Sequence, residues 1–277
     1  MAAVTRAAYE VAAKMADDLW NYCDPRSCNL PLATNPLHLA AILGVYLYFV
    51  LSLGPRLMKN RPPFELRTIM LVYNGVQVVW CGYLFYECIR LAWGWKYSYI
   101  CEPLSMEMEP YDFEVARTVW LYFILKIVDL LDTVFMVLRK NHRQISFLHV
   151  YHHSGMVFCI WMGTKAFPGG HHTFLGFINC FVHCLLYGYY FLSLYNPKIK
   201  VAWWKKYITV VQIVQFAMNV AHESLPLLMP NCEVNKVISG ALVIQNLFMF
   251  VLFTDFYLKN YSDKAIARKT AAVAKES

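Results

Sequence analysis

The chain has 277 residues, 58% of them hydrophobic and only 16% charged, with a formal net charge of +7. Soluble domains carry charge on about a quarter of their residues, so a water-soluble globular enzyme is excluded. The apolar residues gather in seven stretches of roughly 20, each long enough to cross a bilayer core. The expected fold class is an all-α polytopic membrane protein with seven transmembrane helices, near 36–54, 66–89, 114–138, 145–163, 172–194, 207–225 and 236–258.

Residues 1–35 are expected as a lumenal N-terminal segment, 36–258 as the membrane domain and 259–277 as a cytosolic tail. The opening "MAAVTRAAYEVAAKMADDLW" has no long apolar core and no cleavage-site pattern, so the first span is expected to act as an uncleaved signal. After span one comes the basic loop "GPRLMKNRPPFELR", after span three "LRKNHRQ" and after span five "NPKIKVAWWKK"; the tail is basic as well. The alternate loops, "EPLSMEMEPYDFE", "GTKAFPGGHH" and "MPNCEVNK", are acidic or nearly neutral. An excess of Lys and Arg marks the cytosolic side, which puts the N-terminus in the lumen and the C-terminus in the cytosol. The positive charge is therefore a signature of topology and of anionic ligands arriving from the cytosol, and no nucleic-acid partner is expected. The sequon at Asn260 lies on the cytosolic side of this scheme and is expected to stay unmodified.

Nine cysteines divide by side. Cys81, Cys88, Cys159, Cys180 and Cys184 lie within spans, where cysteine packs as a small apolar residue. Cys23, Cys28, Cys101 and Cys232 fall on the oxidising side. A Cys101–Cys232 bridge would tie the loop after span two to the loop after span six, and Cys23–Cys28 is a local pair; spacing alone leaves the connectivity open.

Ionisable residues inside spans are rare because each costs about 2.5–3.5 kcal/mol at the bilayer centre. Span three nevertheless contains "LKIVDLLDTVF", with Lys126, Asp129 and Asp132 at successive spacings of three, within side-chain reach on a helix. Span four opens with "LHVYHH", in which His149, His152 and His153 at i, i+3 and i+4 are expected to share one face. Span five has Asn179, His183 and Tyr187 every four residues in "NCFVHCLLYGYY", and span six has Gln212, Gln215, Asn219 and His222. Packing alone explains an amide pair such as Gln212 and Gln215; three histidines on one stripe call for chemistry. With spans three and five running toward the cytosol and four and six away from it, these stripes converge on a polar chamber that opens to the basic face. Its lumenal continuation is apolar, a shape that suits an amphiphile with a charged head and a long alkyl chain.

Three chemistries fit a histidine-rich membrane interior. A di-iron desaturase or hydroxylase uses several histidine boxes to supply about eight ligands, whereas this chain has one HxxHH and no separate HxxxH box. A transporter or receptor would be marked by broken helices at midplane, which the spans lack. Acyl transfer needs neither: a neutral imidazole attacks a thioester or acts as a base, and neighbouring donors stabilise the oxyanion.

"KIVDLLDT", "HVYHH", "NCFVHCLLYGYY" and "TVVQIVQF" resemble, in order, spacing and depth, four signatures of the very-long-chain fatty acid elongases, the membrane 3-ketoacyl-CoA synthases of the endoplasmic reticulum. The likeness runs from about residue 30 to 260, with Asp129 where the family usually has Glu and Leu186 where it usually has Met. The resemblance implies an inverted barrel of six helices, spans two to seven, around an acyl tunnel, with span one outside. It implies condensation of malonyl-CoA with an acyl-CoA, no metal and no cofactor beyond these substrates, and other enzymes of the elongation cycle as possible partners. The implied catalytic histidines are His149, His152 and His153, with His183 opposite; the shared stripe adds Asn179 to the catalytic set, with His152, central to the box and deeper than His149, expected to carry the acyl group and Asn179 to orient His183. Lys126, Asp129, Asp132, Tyr187, Gln212 and Gln215 are expected to support them, and Arg139, Lys140, Arg143, Lys205 and Lys206 to meet the CoA phosphates at the cytosolic mouth.

Overall fold

The computed structural model describes residues 21–196, 198–199 and 204–262, and among these the regular structure is helical, with no strand. Residues 1–20 and the basic tail from 263 onward, with the expectations attached to them, lie outside the described residues.

Helix α1 runs over Pro36–Met58. Asn35 caps it by accepting from the Leu37 N–H at 2.9 Å, and Pro36 occupies the first turn, where no N–H is needed. Its middle, Phe49–Leu53, widens into a π-helix just ahead of Pro55, which has no N–H to donate. Helix α2, Arg67–Trp93, ends in a second π segment, Ile89–Trp93. Both π segments close on a glycine. The Gly94 N–H donates to Ile89 O at 3.1 Å, and a Cβ on Gly94 would stand 2.4 Å from that oxygen. A Cβ on Gly54 would stand 2.6 Å from Val137 and 2.8 Å from Phe49 O.

The expected third span is two helices, α3 (Pro110–Asp129) and α4 (Leu131–Leu138). They meet at Leu130, whose N–H bonds three residues back to Ile127 O, a tightened turn that interrupts the α-helical ladder between Asp129 and Asp132. Helix α5 is Phe147–Ala166, and its cap is Ser146, whose hydroxyl accepts from the His149 N–H at 3.2 Å. The histidines thus occupy the first two turns of α5. Helix α6 is Phe174–Tyr195, entered through a 3₁₀ turn at His171–Thr173; α7 is Lys205–Leu228; α8 is Lys236–Tyr261, capped by Asn235. The last helix therefore continues three residues past the expected boundary at 258.

Pro36–Met58, Arg67–Trp93, His171–Tyr195 and Lys236–Tyr261 are each long and apolar enough to cross a membrane. Val45, Leu51, Val72, Val79, Ile244 and Val251 on three of them are exposed, a lipid-facing surface that water would not tolerate. The chain is an integral membrane protein built of helices. The other helical stretches carry Lys126, Asp129 and Asp132, the histidines of the HxxHH box, and Gln212 and Gln215, whose polarity interrupts their apolar run.

The connections sort to two ends. At one end, the Asp24 N–H donates to Lys165 O at 2.8 Å, Arg26 donates to Ser105 O at 2.6 Å, and the His171 N–H donates to Glu102 O at 2.8 Å. Gly170 makes the last contact feasible with a φ of 65° and a backbone pressed against Leu104. Arg26 also chelates Asp24 at 2.6 and 2.8 Å, and these bonds hold its pKa above the ordinary guanidinium value. Disulfides Cys23–Cys28 and Cys101–Cys232 complete this end, the second joining the α2–α3 and α7–α8 connections as expected. At the other end, the Phe64 N–H donates to Leu138 O at 3.1 Å, Lys140 reaches Lys59 O at 3.3 Å, and Arg67 reaches Leu194 O at 3.2 Å.

Leu39, Tyr46, Val50 and Met58 of α1 pack with Phe123, Leu130, Val137, Val157 and Trp161 into one core cluster. Gly54 lies on this face of α1. Gly54→Val is expected to push α1 off α4 and cost about 1–3 kcal/mol of stability, lowering the melting temperature of the detergent-solubilised protein. Gly44→Val, where a Cβ meets nothing within 4 Å, is expected to leave it unchanged.

Candidate functional site

The histidines of α5 spread over about 100° of one helix face. His149 and His153, one turn apart, lie with ring centroids 4.2 Å apart and planes tilted by 37°. His152 is offset by the roughly 100° that separates adjacent helix positions; its ring stands 5.6 Å from His153 and edge-on to Phe216 of α7 and Phe253 of α8, at 6.4 and 6.2 Å. His149 Nε2 is 2.9 Å from Thr133 Oγ1 of α4, and that same oxygen is 2.9 Å from the Tyr46 hydroxyl of α1. All three imidazoles are half-buried.

Facing them is a buried charge cluster. Lys126 and Asp129 of α3 are only 3% and 2% exposed, and the ammonium donates to Asp129 Oδ2 at 2.8 Å and to Asn179 Oδ1 of α6 at 2.9 Å. Asp129 Oδ1 accepts from Gln77 of α2 at 2.6 Å and from the Tyr187 hydroxyl of α6 at 3.1 Å. The same hydroxyl donates to Asp132 Oδ2 at 2.7 Å. One phenol proton therefore stands between two carboxylates and serves one at a time. His183 Nδ1 is 3.8 Å from Asp129 Oδ2, too far for a hydrogen bond, and its ring is 5.6 Å from Tyr187. His152, His153 and His183 lie within electrostatic reach of one another and of Lys126. The charged motif of α3–α4, the histidine box of α5 and the Asn179–His183–Tyr187 stripe of α6 thus converge in one interior volume.

Several partners were not singled out in the sequence. Asn179 makes no hydrogen bond to His183 among the described residues; its carbonyl oxygen takes Lys126 and, at 2.7 Å, the Tyr122 hydroxyl. Asp132 meets Tyr187, and it is Thr133 that touches His149. Gln77 is fully buried in an apolar span. Its spacing of three from buried Asn74 is the signal that could have found it; Tyr46, one of two tyrosines in an apolar helix, has no such signal.

The polar stripe of α7 divides. Gln215 is buried and Gln212 half-buried, whereas Asn219 donates to Asn246 of α8 at 3.1 Å. His222 belongs to the disulfide end, where it lies flat between Phe174 and His171, at 4.0 and 3.9 Å. There His172 Nδ1 is 2.9 Å from Glu223 Oε2. Arg139 and Arg143 are exposed at the opposite end, Lys140 caps Lys59 O, and Lys205 and Lys206 start α7; these five residues make no hydrogen bonds to one another among the described residues. An apolar groove lined by Leu71, Val76, Trp80 and Phe191 lies on the outer face of α2 and α6, apart from the imidazoles.

Removing one member of a buried ion pair leaves the other charge uncompensated, at about 3–5 kcal/mol. Lys126→Met is expected to lose that much stability, measured by thermal unfolding in detergent. Adding Asp129→Asn is expected to recover at least half of the loss; additive losses would mean that the two charges are independent.

Residues 31–269 match the family described as ELO: GNS1/SUR4. The chain is 42% identical over 244 residues to "Very long chain fatty acid elongase 7" of Drosophila melanogaster, covering 87% of this chain and 74% of the relative. It is 37% identical over 255 residues to "Very long chain fatty acid elongase 1" of Mus musculus, covering 91% of each. To "Very long chain fatty acid elongase 4" of Homo sapiens it is 38% identical over 255 residues, 91% of this chain and 81% of the relative. Three polar signatures gathered inside an apolar helical bundle, and a match across most of its length, make this chain a member of the GNS1/SUR4 (ELO) family.

Proposed function

We propose that this chain is the condensing enzyme of very-long-chain fatty acid elongation, an acyltransferase that joins malonyl-CoA to a long-chain acyl-CoA and releases CO₂, CoA and a 3-ketoacyl-CoA. The observation that carries the reading is the buried Lys126–Asp129 pair, 2.8 Å apart, with His183 Nδ1 of α6 3.8 Å from Asp129 and the histidine box of α5 anchored on Thr133 of α4 beside it, in a member of this family. His152 attacks the thioester carbonyl; the CoA thiolate leaves, and the acyl group rests on the imidazole. Malonyl-CoA then loses its free carboxyl as CO₂, and the resulting thioester enolate attacks the acyl carbon and expels His152. The product is two carbons longer. No electron is gained or lost in either step, so the chemistry asks for no redox cofactor.

The supporting roles follow from the contacts. Asn179, with its carbonyl oxygen held by Lys126 and Tyr122, offers its amide N–H₂ to a developing oxyanion. His183, beside Asp129, assists acyl transfer or enolate formation. His149, His153 and Asp132 hold geometry and tautomers, and Gln212 and Gln215 continue the polar wall along α7. Arg139, Lys140, Arg143, Lys205 and Lys206 ring the end at which α4 stops and α5 and α7 begin, and there they meet the CoA phosphates.

The setting is the endoplasmic reticulum membrane. Seven crossings (α1, α2, α3 with α4, α5, α6, α7 and α8) give a lumenal N-terminus and a cytosolic C-terminus, in line with the disulfides gathered at one end and the basic connections at the other. The crossings from α2 to α8 form an inverted barrel around the acyl chain, with α1 outside it. The 3-ketoacyl-CoA leaves for the reductases and dehydratase that complete each elongation cycle.

The test uses purified protein in lipid vesicles with [2-¹⁴C]malonyl-CoA and a panel of long-chain acyl-CoAs. Labelled 3-ketoacyl-CoA is expected, and His152→Ala is expected to lower its formation by about 10²–10⁴-fold. Wild-type turnover by that variant would end the proposed role of His152. An oxygen-dependent desaturated or hydroxylated product would end the condensing reading.

A further inference from the structure

Helix α1 has an apolar sequence and stands outside the converging polar stripes, yet one of its side chains reaches the histidine cluster. Tyr46 is 5% exposed, and its hydroxyl is 2.9 Å from Thr133 Oγ1, which is itself 2.9 Å from His149 Nε2. The series Tyr46–Thr133–His149 crosses α1, α4 and α5. Its first contact belongs to a close helix–helix seam: eight residues beyond Tyr46, Gly54 lets α1 approach Val137, which lies one turn beyond Thr133. Leu39, Val50 and Met58 fill the rest of that face.

The protons along the series have a preferred order. A phenol is more acidic than an aliphatic alcohol and is the better donor of the two, and an unprotonated imidazole nitrogen is the strongest acceptor present. Tyr46 therefore donates to Thr133, and the single hydroxyl hydrogen of Thr133 goes to His149 Nε2. With Nε2 accepting, the hydrogen of the neutral ring sits on Nδ1. The ring is held at the same time against His153, 4.2 Å away.

We infer that Tyr46 is a positioning residue for the histidine cluster: through Thr133 it locks His149 as the Nδ1–H tautomer in a fixed ring orientation. His149 Nε2 is thereby withdrawn from base or acyl-acceptor duty, which falls to His152 and His183. His149 acts as a fixed donor and as the wall that orients His153. The kinetic part of the inference rests on the condensing reading; the tautomer part does not.

Two measurements test it. ¹⁵N NMR of histidine-labelled protein in detergent without substrate, with His149 assigned by difference from His149→Gln, is expected to show an unprotonated Nε2 and a protonated Nδ1. In Tyr46→Phe the same residue is expected to exchange between both tautomers. In the condensation assay, Tyr46→Phe is expected to lower kcat about 3–10-fold, the worth of one hydrogen bond, with KM for both CoA substrates within about twofold of wild type. Thr133→Val is expected to lose about as much, Thr133→Ser to restore most of it, and the Tyr46→Phe/Thr133→Val double variant to be no slower than Thr133→Val alone. A wild-type His149 protonated on Nε2, or single losses that multiply in the double variant, would overturn the relay. A wild-type protein that condenses nothing would instead remove the functional reading, and the NMR result would still decide the tautomer.

Discussion

A cation and a carboxylate buried side by side in a helical bundle surrounded by hydrocarbon are the constraint on which the rest of this structure depends. Lys126 and Asp129 are almost wholly buried, and each charge alone would cost several kcal/mol there. Direct pairing at 2.8 Å neutralises them but leaves donors and acceptors over. Those are taken up by Asn179 and Tyr187 of α6 and Gln77 of α2. Satisfying one ion pair thus sets the mutual placement of three helices. It also brings His183, one turn from both Asn179 and Tyr187 on α6, up to the pair.

The imidazoles of α5 are arranged against this frame from the other side. Ser146 caps α5 three residues before His149, so the histidines sit in the capped first two turns of the helix, close to the end where the basic connections gather. Condensation needs an uncharged nucleophile beside fixed polar groups, in a volume from which bulk water is kept. Phe216 and Phe253 stand edge-on to His152 and supply the dry wall. The opposite end is held together by Cys101–Cys232, by the Asp24–Arg26 chelate and by the stack of Phe174, His222 and His171. Basic connections thus gather at one end and cross-links at the other.

Much of this was legible in the sequence because membrane interiors make polar residues conspicuous. Lys126, Asp129, the HxxHH box and the Asn179–His183–Tyr187 stripe all converge, and the Cys101–Cys232 bridge and family membership agree with the reading. The helix limits fall within a few residues of those expected, except that Pro110 starts α3 early, the helical turn Gly54–Met58 carries α1 past 54, and the π segment Ile89–Trp93 carries α2 past 89. What stayed hidden was set by rotation and partner choice, which periodicity does not encode. Asn179 faces Lys126 and Tyr122 and makes no hydrogen bond to His183 among the described residues. The α7 stripe serves two ends of the molecule, and Gln77 and Tyr46 act from helices whose composition reads as lipid-facing.

The central claim is that an imidazole carries the growing chain between the two half-reactions. The most direct measurement is mass spectrometry of the protein incubated with a long-chain acyl-CoA alone, quenched in acid and digested. The account predicts an acyl group on the peptide containing His152, formed with release of one CoA and discharged when malonyl-CoA is added before the quench. Full turnover with no acylated histidine at any time point would contradict it, because the enolate would then be attacking the acyl-CoA directly.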